Sequence, residues 1–265
     1  MTPSHSKIKP IVQGHRGARA RFPENTLSAF NYAIINQIPV IELDIHTTKD
    51  KKLIIHHDPF FIKNNKKFYI YSSTLKQIQS TIVEPNPLFP RQNKTIKEPP
   101  PSLEGFFNWL HHHPHPFASQ MILNIEVKSI PALEGKLYPT PAWISKTLYA
   151  LLEKYNLIHR CWIQSFDHRV LKHIRKQNSD LKISLLLSQN YLNASLLLKD
   201  LHAQAVSVPV SWVDKALCRS IHKVKGQVFA WTANTKKEWV YLTECQVDGI
   251  ITDDPVRCKN FLKNL

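Results

Sequence analysis

The chain has 265 residues, 43% of them hydrophobic, enough to bury a large core and unlike an intrinsically disordered chain. No run approaches the ~18 uninterrupted apolar residues of a membrane-spanning helix, and the opening "MTPSHSKIKPIVQG" lacks the apolar stretch of a cleaved signal. A net charge of +15, from 35 Lys and Arg against 20 Asp and Glu, favours an anionic partner: nucleic acid, anionic lipid or a phosphorylated substrate.

In chain order, short apolar runs alternate with amphipathic stretches. "PIVQG" (10–14) reads as a strand and "NTLSAFNYAIINQ" (25–37) as a helix. "VIELDI" (40–45) is followed after only "HTTKDK" by "KLIIHHD" (52–58), too soon for the helical crossover that parallel neighbours need. The second run is therefore expected to return antiparallel, as a hairpin. Residues 59–101 are rich in Pro, Asn and Lys and carry aromatics expected at the surface. They read as an irregular insertion, ending at Ser102, the cap of a helix "SLEGFFNWL". Strands are expected at "MILNIEV" (121–127), "CWIQSF" (161–166), "KISLLL" (182–187), "AVSVPV" (205–210), "QVFAWT" (227–232) and "GIIT" (249–252), with a helix at "HRVLKHIRKQN" (168–178).

Leaving out the hairpin, eight strands remain, the count of a closed (β/α)8 TIM barrel in the α/β class. An open doubly wound sheet is the alternative, but no GxGxxG follows the first strand. With no internal repeat and no boundary, residues 1–265 read as one domain carrying the 59–101 insertion. Cys161, Cys218, Cys245 and Cys258 are scattered without CxxC spacing, which suits reduced thiols in a cytoplasmic protein.

In such barrels the reacting groups stand at the C-terminal ends of the strands. Those ends deliver His15 and Arg16, then Glu42 and Asp44 on one face, then His57 and Asp58 from the hairpin. Glu126 and Lys128 follow, again two apart, and the last strands add Trp231, Thr232 and Asp253. Three carboxylates at one mouth repel by ~4 kcal/mol per close pair at an effective dielectric near 20, so either some are protonated or a divalent cation sits among them. Oxygen-only donors suit Mg2+ or Ca2+ better than Zn2+. Simple pairing of Glu42 and Glu126 with Arg16 and Lys128 is the plainer reading of any one carboxylate taken alone. Two histidines fit proton transfer near neutral pH, and Arg16 and Lys128 fit a phosphate clamp.

Together these residues resemble the glycerophosphodiester phosphodiesterase family. The resemblance rests on "HRGARARFPENTLSAF", "IELDIHTTKDKKLIIHHDP", "LNIEVKS", "QSFD", "WTAN" and "DGIITDDP", in the family's order, over about residues 12–256. It implies a metal-dependent barrel enzyme that hydrolyses glycerophosphodiesters to sn-glycerol 3-phosphate and an alcohol. It further implies Glu42, Asp44 and Glu126 as metal ligands, His15 and His57 as catalytic residues, and Arg16 and Lys128 on phosphate. Asp58 and Glu24 are read as supporting these groups or touching ligand, and Trp231 as barrel packing or a substrate platform. After "HHDP" the chain departs from the family's usual Asp-Arg-Thr-Thr-like continuation with "FFIKNNKKFY", and "KDKK" replaces a Gly-containing hairpin turn.

Other motifs read more plainly. "HHHPHP" (111–116) is expected to be a solvated loop broken by prolines instead of a metal tract. "KVKG" and "KKE" read as solvated helix ends. No zinc finger or aromatic RNA-binding signature appears, so nucleic acid is not an expected partner. The charge and "FFIKNNKKFYIY" (60–71) admit two readings, peripheral contact with an anionic membrane or a charge spread over helix exteriors that only keeps the protein dissolved. Two further readings stand beside the first: a lysophospholipase D-like enzyme acting on single-chain lipids, and a non-catalytic barrel that binds anionic lipid or a phosphorylated ligand.

Overall fold

The first strand, β1 (Ile11–Gly14), lies between the last strand and the second, and that adjacency closes the sheet. The computed structural model describes residues 9–63, 66–189 and 193–265. In chain order β1 leads to α1 (Leu27–Ile35), β2 (Val40–Thr47) and the hairpin strand β3 (Leu53–Ile55). The insertion holds β4 (Phe60–Lys63), β5 (Lys66–Tyr69) and α2 (Leu75–Gln79), before α3 (Leu103–His111). The barrel then resumes with β6 (Ile122–Val127), α4 (Pro141–Lys154), β7 (Cys161–Ser165), α5 (His168–Gln177) and β8 (Lys182–Leu186). It ends with α6 (Ala194–Asp200), β9 (Ala205–Pro209), α7 (Lys215–Lys223), β10 (Gln227–Trp231), α8 (Lys236–Cys245), β11 (Gly249–Thr252) and α9 (Pro255–Lys263).

The strands β1, β2 and β6 to β11 pair in parallel around a closed ring, and β3 adds antiparallel to β2 with Ile45 opposite Ile55. This is a (β/α)8 barrel with the expected hairpin after the second strand. Side chains of alternate residues divide between two surroundings. Ile41, Leu43, Leu123, Ile125, Ile163 and Val206 join the large core packed under the helices. The residues between them point inward. Trp162, Ala205, Phe229 and Ile251 form an apolar plug. Gln13, Asn124, Gln164, Ser184 and Ser207 form a buried polar set: the Asn124 amide donates to Gln13 at 2.9 Å, and Ser207 donates to Gln164 at 3.1 Å. The carboxylates described below belong to the same inward set, so the site is built on a floor of hydrogen-bonded amides and hydroxyls, in which the buried Asn124 carbonyl oxygen lacks a partner among the described residues.

The insertion is more ordered than its composition suggests. β4 and β5 pair antiparallel, with Phe61 opposite Phe68. Phe61 is buried against Ile54, Ile70 and Ile78 and stacks on the His56 ring at 3.9 Å, so it is not one of the surface aromatics expected there. The period of two explains this: Phe61 turns inward while its neighbour Ile62 is 72% exposed. Thr74 begins α2 with a capping box completed by Gln77. Asn64, Asn65 and the Lys63 side chain, named in the expected membrane segment, lie outside the described residues, as does the start of the N-terminal segment read for a signal. All four cysteines are buried and free. Among the described residues no helix is long and apolar enough to cross a membrane.

Candidate active site

The segment after β1 makes a tight turn that only glycine permits. A Cβ on Gly14 would stand 2.0 Å from the Gly17 carbonyl oxygen, and Gly17, at φ +89°, would meet Ala29 and Phe30 at 2.9 Å. Between them Arg16 takes a left-handed conformation, φ +50°. Its backbone N–H donates to Glu42 Oε2 at 2.9 Å, and its carbonyl accepts from the backbone N–H of Asn25 at 3.0 Å, a residue also left-handed at φ +58°. Two non-glycine residues held there mark a segment shaped by the site as well as by chain economy.

Strand register sets the acidic cluster. The parallel pairing of β2 and β6 puts Asp44 opposite Glu126, and Glu42 lies one inward position before Asp44. Carboxylate oxygens of Glu42, Asp44 and Glu126 lie within 4.8 Å of one another, and all three side chains are buried. Lys128 Nζ reaches Asp44 at 2.8 Å and Glu126 at 2.5 Å. The Arg16 guanidinium lies 3.3 Å from Asp44 and 2.6 Å from Glu24, whose other oxygen is 2.5 Å from Arg19. Glu24 therefore holds two arginines and stands apart from the carboxylate triad.

Burial dominates the electrostatics here. It pushes Glu42 well above the usual carboxylate range, helped by the charges of Asp44 and Glu126, and it raises Glu126 against the pull of Lys128. Burial would raise Asp44 too, but Lys128, Arg16 and His57 together hold it well below that range. Burial also works against the Lys128 and Arg16 cations, yet the surrounding carboxylates raise both. Two carboxylates resisting ionisation beside a third that is ionised describe a cluster short of positive charge. A divalent cation among three such oxygens supplies it, so the donor set fits Mg2+ or Ca2+.

The two predicted histidines reach the same cavity of about 200 Å3, which Phe166, Leu186, Trp231, Thr232 and Ile251 close on one side. His15 Nδ1 bonds Asp253 Oδ1 at 2.6 Å, and Asp253 Oδ2 accepts from the Asn234 amide at 2.7 Å. Burial lowers His15 from the ordinary imidazole value, with Asp253 opposing. His57 Nδ1 bonds Asp58 Oδ1 at 2.7 Å; His57 is partly exposed and Asp58 is exposed. Each ring thus has Nδ1 engaged by a carboxylate and Nε2 available. Trp231 packs on the inner plug and also lines the cavity.

Four neighbours were not singled out from the sequence as site residues: Asn25, Arg19, Gln164 and Phe166. The Asn25 amide donates to Asp44 Oδ2 at 2.9 Å, and the Gln164 amide donates to Glu42 Oε1 at 3.4 Å. Asn25 and Gln164 sit inside the quoted motifs "PENT" and "QSFD", which was the only signal for them. The histidine tract stays apart from this centre: His113 bonds Asn31 at 2.9 Å, and among the described residues only Glu42, Asp44 and Glu126 form a metal-capable group.

Residues 15–257 match the model of the glycerophosphoryl diester phosphodiesterase family. A glycerophosphodiester phosphodiesterase of Caldanaerobacter subterraneus is 28% identical over 97% of this chain and 99% of its own length. The structure is similar to that of a putative glycerophosphoryl diester phosphodiesterase from Silicibacter pomeroyi, with TM-score 0.87, 23% identity and coverage of 96% of this chain and 93% of the other. It is also similar to an Oleispira antarctica phosphodiesterase solved with its product sn-glycerol-3-phosphate, with TM-score 0.78, 19% identity and coverage of 96% and 97%. The chain belongs to the glycerophosphoryl diester phosphodiesterase family and is a phosphodiesterase of that class.

Proposed function

We propose that this chain, acting as one catalytic domain, hydrolyses glycerophosphodiesters to sn-glycerol 3-phosphate and an alcohol, with a divalent cation held by Glu42, Asp44 and Glu126. The observation that carries it is the buried triad, its oxygens within 4.8 Å, sharing one cavity with two carboxylate-braced histidines. Bound there, the cation stabilises the negative charge that builds on phosphate oxygens. Arg16 adds a fork and Lys128 a point charge from the cavity wall, orienting the phosphorus between the histidines. His15, kept neutral by burial, takes the proton of the attacking oxygen at Nε2 while Asp253 steadies the imidazolium. His57, held through Nδ1 by Asp58, gives a proton from Nε2 to the departing alcohol oxygen. Water, or a hydroxyl of the substrate through a cyclic phosphate that water then opens, supplies the attacking oxygen, and one water is consumed per bond broken.

The test is release of glycerol 3-phosphate from a panel of glycerophosphodiesters, with and without chelator. Release that chelation abolishes and Mg2+, Mn2+ or Ca2+ restores is expected. Full activity in metal-free protein overturns the metal assignment, and no release from any diester overturns the function.

A second element of this reading is peripheral contact with anionic lipid through the β4–β5 hairpin. Ile62 is 72% exposed, Lys66 and Lys67 are exposed, and the Lys67 ammonium sits 4.2 Å from the Phe60 ring centre. Each cation near an anionic surface contributes about 1 kcal/mol, so binding should be weak and fall as salt rises. Sedimentation with anionic vesicles, lost in Lys66→Glu/Lys67→Glu, tests it; no sedimentation of the wild type at low salt refutes it.

A further inference from the structure

A phosphodiester has two arms, and two concavities meet at the carboxylate cluster. The second, of about 440 Å3, shares His57, Glu126, Lys128 and Phe166 with the first. His15 opens only onto the first, Asp58 only onto the second, and His57 onto both. A group that protonates the departing oxygen must stand where the departing arm begins. His57 is the histidine at the junction, so the arm on the Asp58 side is the one that leaves.

We propose that the second concavity is the subsite for the leaving alcohol, and that Tyr138, with Ser129 and Ser188, selects a polyhydroxylated alcohol there. The proposal rests on the phosphodiesterase reading above. Tyr138 is only 4% exposed and stacks on the His46 ring at 5.7 Å between centres. Its backbone is fixed by the loop, where its carbonyl accepts from the Gly135 N–H at 2.8 Å. The side chain lines the second concavity together with Asp58, Glu126 and Lys128. Among the described residues no hydrogen bond reaches its hydroxyl. The concavity is open, so a ligand hydroxyl bound there is a partner this phenol can receive.

Two further hydroxyls face the same space. Ser129 Oγ donates to Asp167 Oδ2 at 2.7 Å, which leaves its lone pairs to accept. Ser188 is exposed just beyond β8 and lines the same wall. Phe166, 42% exposed and edge-on to Trp231 at 5.9 Å, offers a ring against the C–H face of a polyol. The quaternary-ammonium end of choline brings neither donor nor acceptor to these three hydroxyls, whereas a polyol can bond each of them.

The experiment measures kcat/KM on glycerophosphoglycerol and glycerophosphocholine for wild type, Tyr138→Phe and Ser188→Ala. The wild type is expected to favour the glycerol diester. Tyr138→Phe, which removes one oxygen, should lower kcat/KM about tenfold on that diester and less than about twofold on the choline diester. Ser188→Ala should lose less, in the same direction, and carries the comparison by itself if Tyr138→Phe does not fold. Equal losses on both diesters, or none on the glycerol diester, overturn the subsite and leave the phosphodiesterase reading intact. No hydrolysis of the glycerol diester by the wild type overturns the subsite, and only no release from any glycerophosphodiester overturns the underlying reading with it.

Discussion

Replacing Asp253 by Asn separates the chemistry of His15 from its packing. The carboxylate is 7% exposed and bonds His15 Nδ1 at 2.6 Å, while its other oxygen is held by Asn234 at 2.7 Å. The amide has the same shape and keeps one oxygen, so the fold should survive. What is lost is a negative charge beside a ring that burial already drives toward neutrality. A hydrogen bond to a charged partner is worth about 1.5–3 kcal/mol. If that bond strengthens as the imidazolium forms, its loss costs roughly 10- to 150-fold in kcat at 1.36 kcal/mol per tenfold. An amide N–H facing Nδ1 would also favour the wrong tautomer, which at an analogous His–Asp pair in serine proteases costs about 10⁴-fold. The expected fall in kcat is therefore at least about tenfold, with KM little changed. The sign on pH follows from the same pair: Asp253 opposes the lowering of His15, so removing it moves the acidic limb of the kcat/KM profile to lower pH. Stopped-time assays of glycerol 3-phosphate release from pH 5 to 9 read both. A kcat within about threefold of wild type, with an unmoved acidic limb, would mean that His15 is not the base.

His15→Ala and His57→Ala should each lower kcat at least about 100-fold, and the double variant should be little worse than the poorer single one, because the pair acts as a unit; a folded single variant near wild-type kcat marks that histidine as structural. Glu42→Gln removes a buried carboxyl that resists ionisation, so Tm measured in chelator should rise or hold, while the stabilisation by Mg2+, about 2.7 kcal/mol at one hundred times Kd for the wild type and read as a rise in Tm, should vanish. A metal-induced gain that persists in Glu42→Gln counts against Glu42 as a ligand. His46 and His56 are lowered by burial to about 3 and about 4, so the fold holds both neutral. Their stabilisation is complete above the unfolded value of 6.5 and is lost as pH falls through that value toward 4 and 3. At pH 5 each should cost about 2 kcal/mol of folding free energy. Glu42 and Glu126, raised instead, work in the opposite direction, so urea midpoints of His56→Asn and wild type are compared at pH 7 and 5, and equal slopes refute the assignment.

The parts that were legible in the sequence are those whose information is local. Glu42 and Asp44, and Glu126 and Lys128, lie two residues apart on β-strands, so their shared face follows from backbone geometry alone. The hairpin was legible because six residues cannot span a parallel crossover. The insertion was not, because its lysines and asparagines hide an alternation of only four residues per strand, and Phe61 turns in only because Ile54, Ile70 and Ile78 gather beneath it. Asn25 was missed for a related reason: its amide reaches Asp44 only once the turn after β1 has put it at φ +58°.

His15 and Asp253 show the limit most directly. Each was visible as a polar residue at a strand end, yet 238 positions separate them in the chain. They meet because β1 pairs with β11, Gly14 beside Thr252, and the His15 N–H donates to the Thr252 carbonyl at 2.9 Å. The same closure pairs β1 with β2, Gly14 beside Ile41, and brings the Arg16 N–H to Glu42. The His-Arg-Gly segment is thus the seam of the barrel, where the end of the last strand supplies the partner of His15 and the second strand the carboxylates. Closing the ring and assembling the site are one event, so a substitution that opens the seam, such as Gly14→Val, should cost activity and cooperative unfolding together.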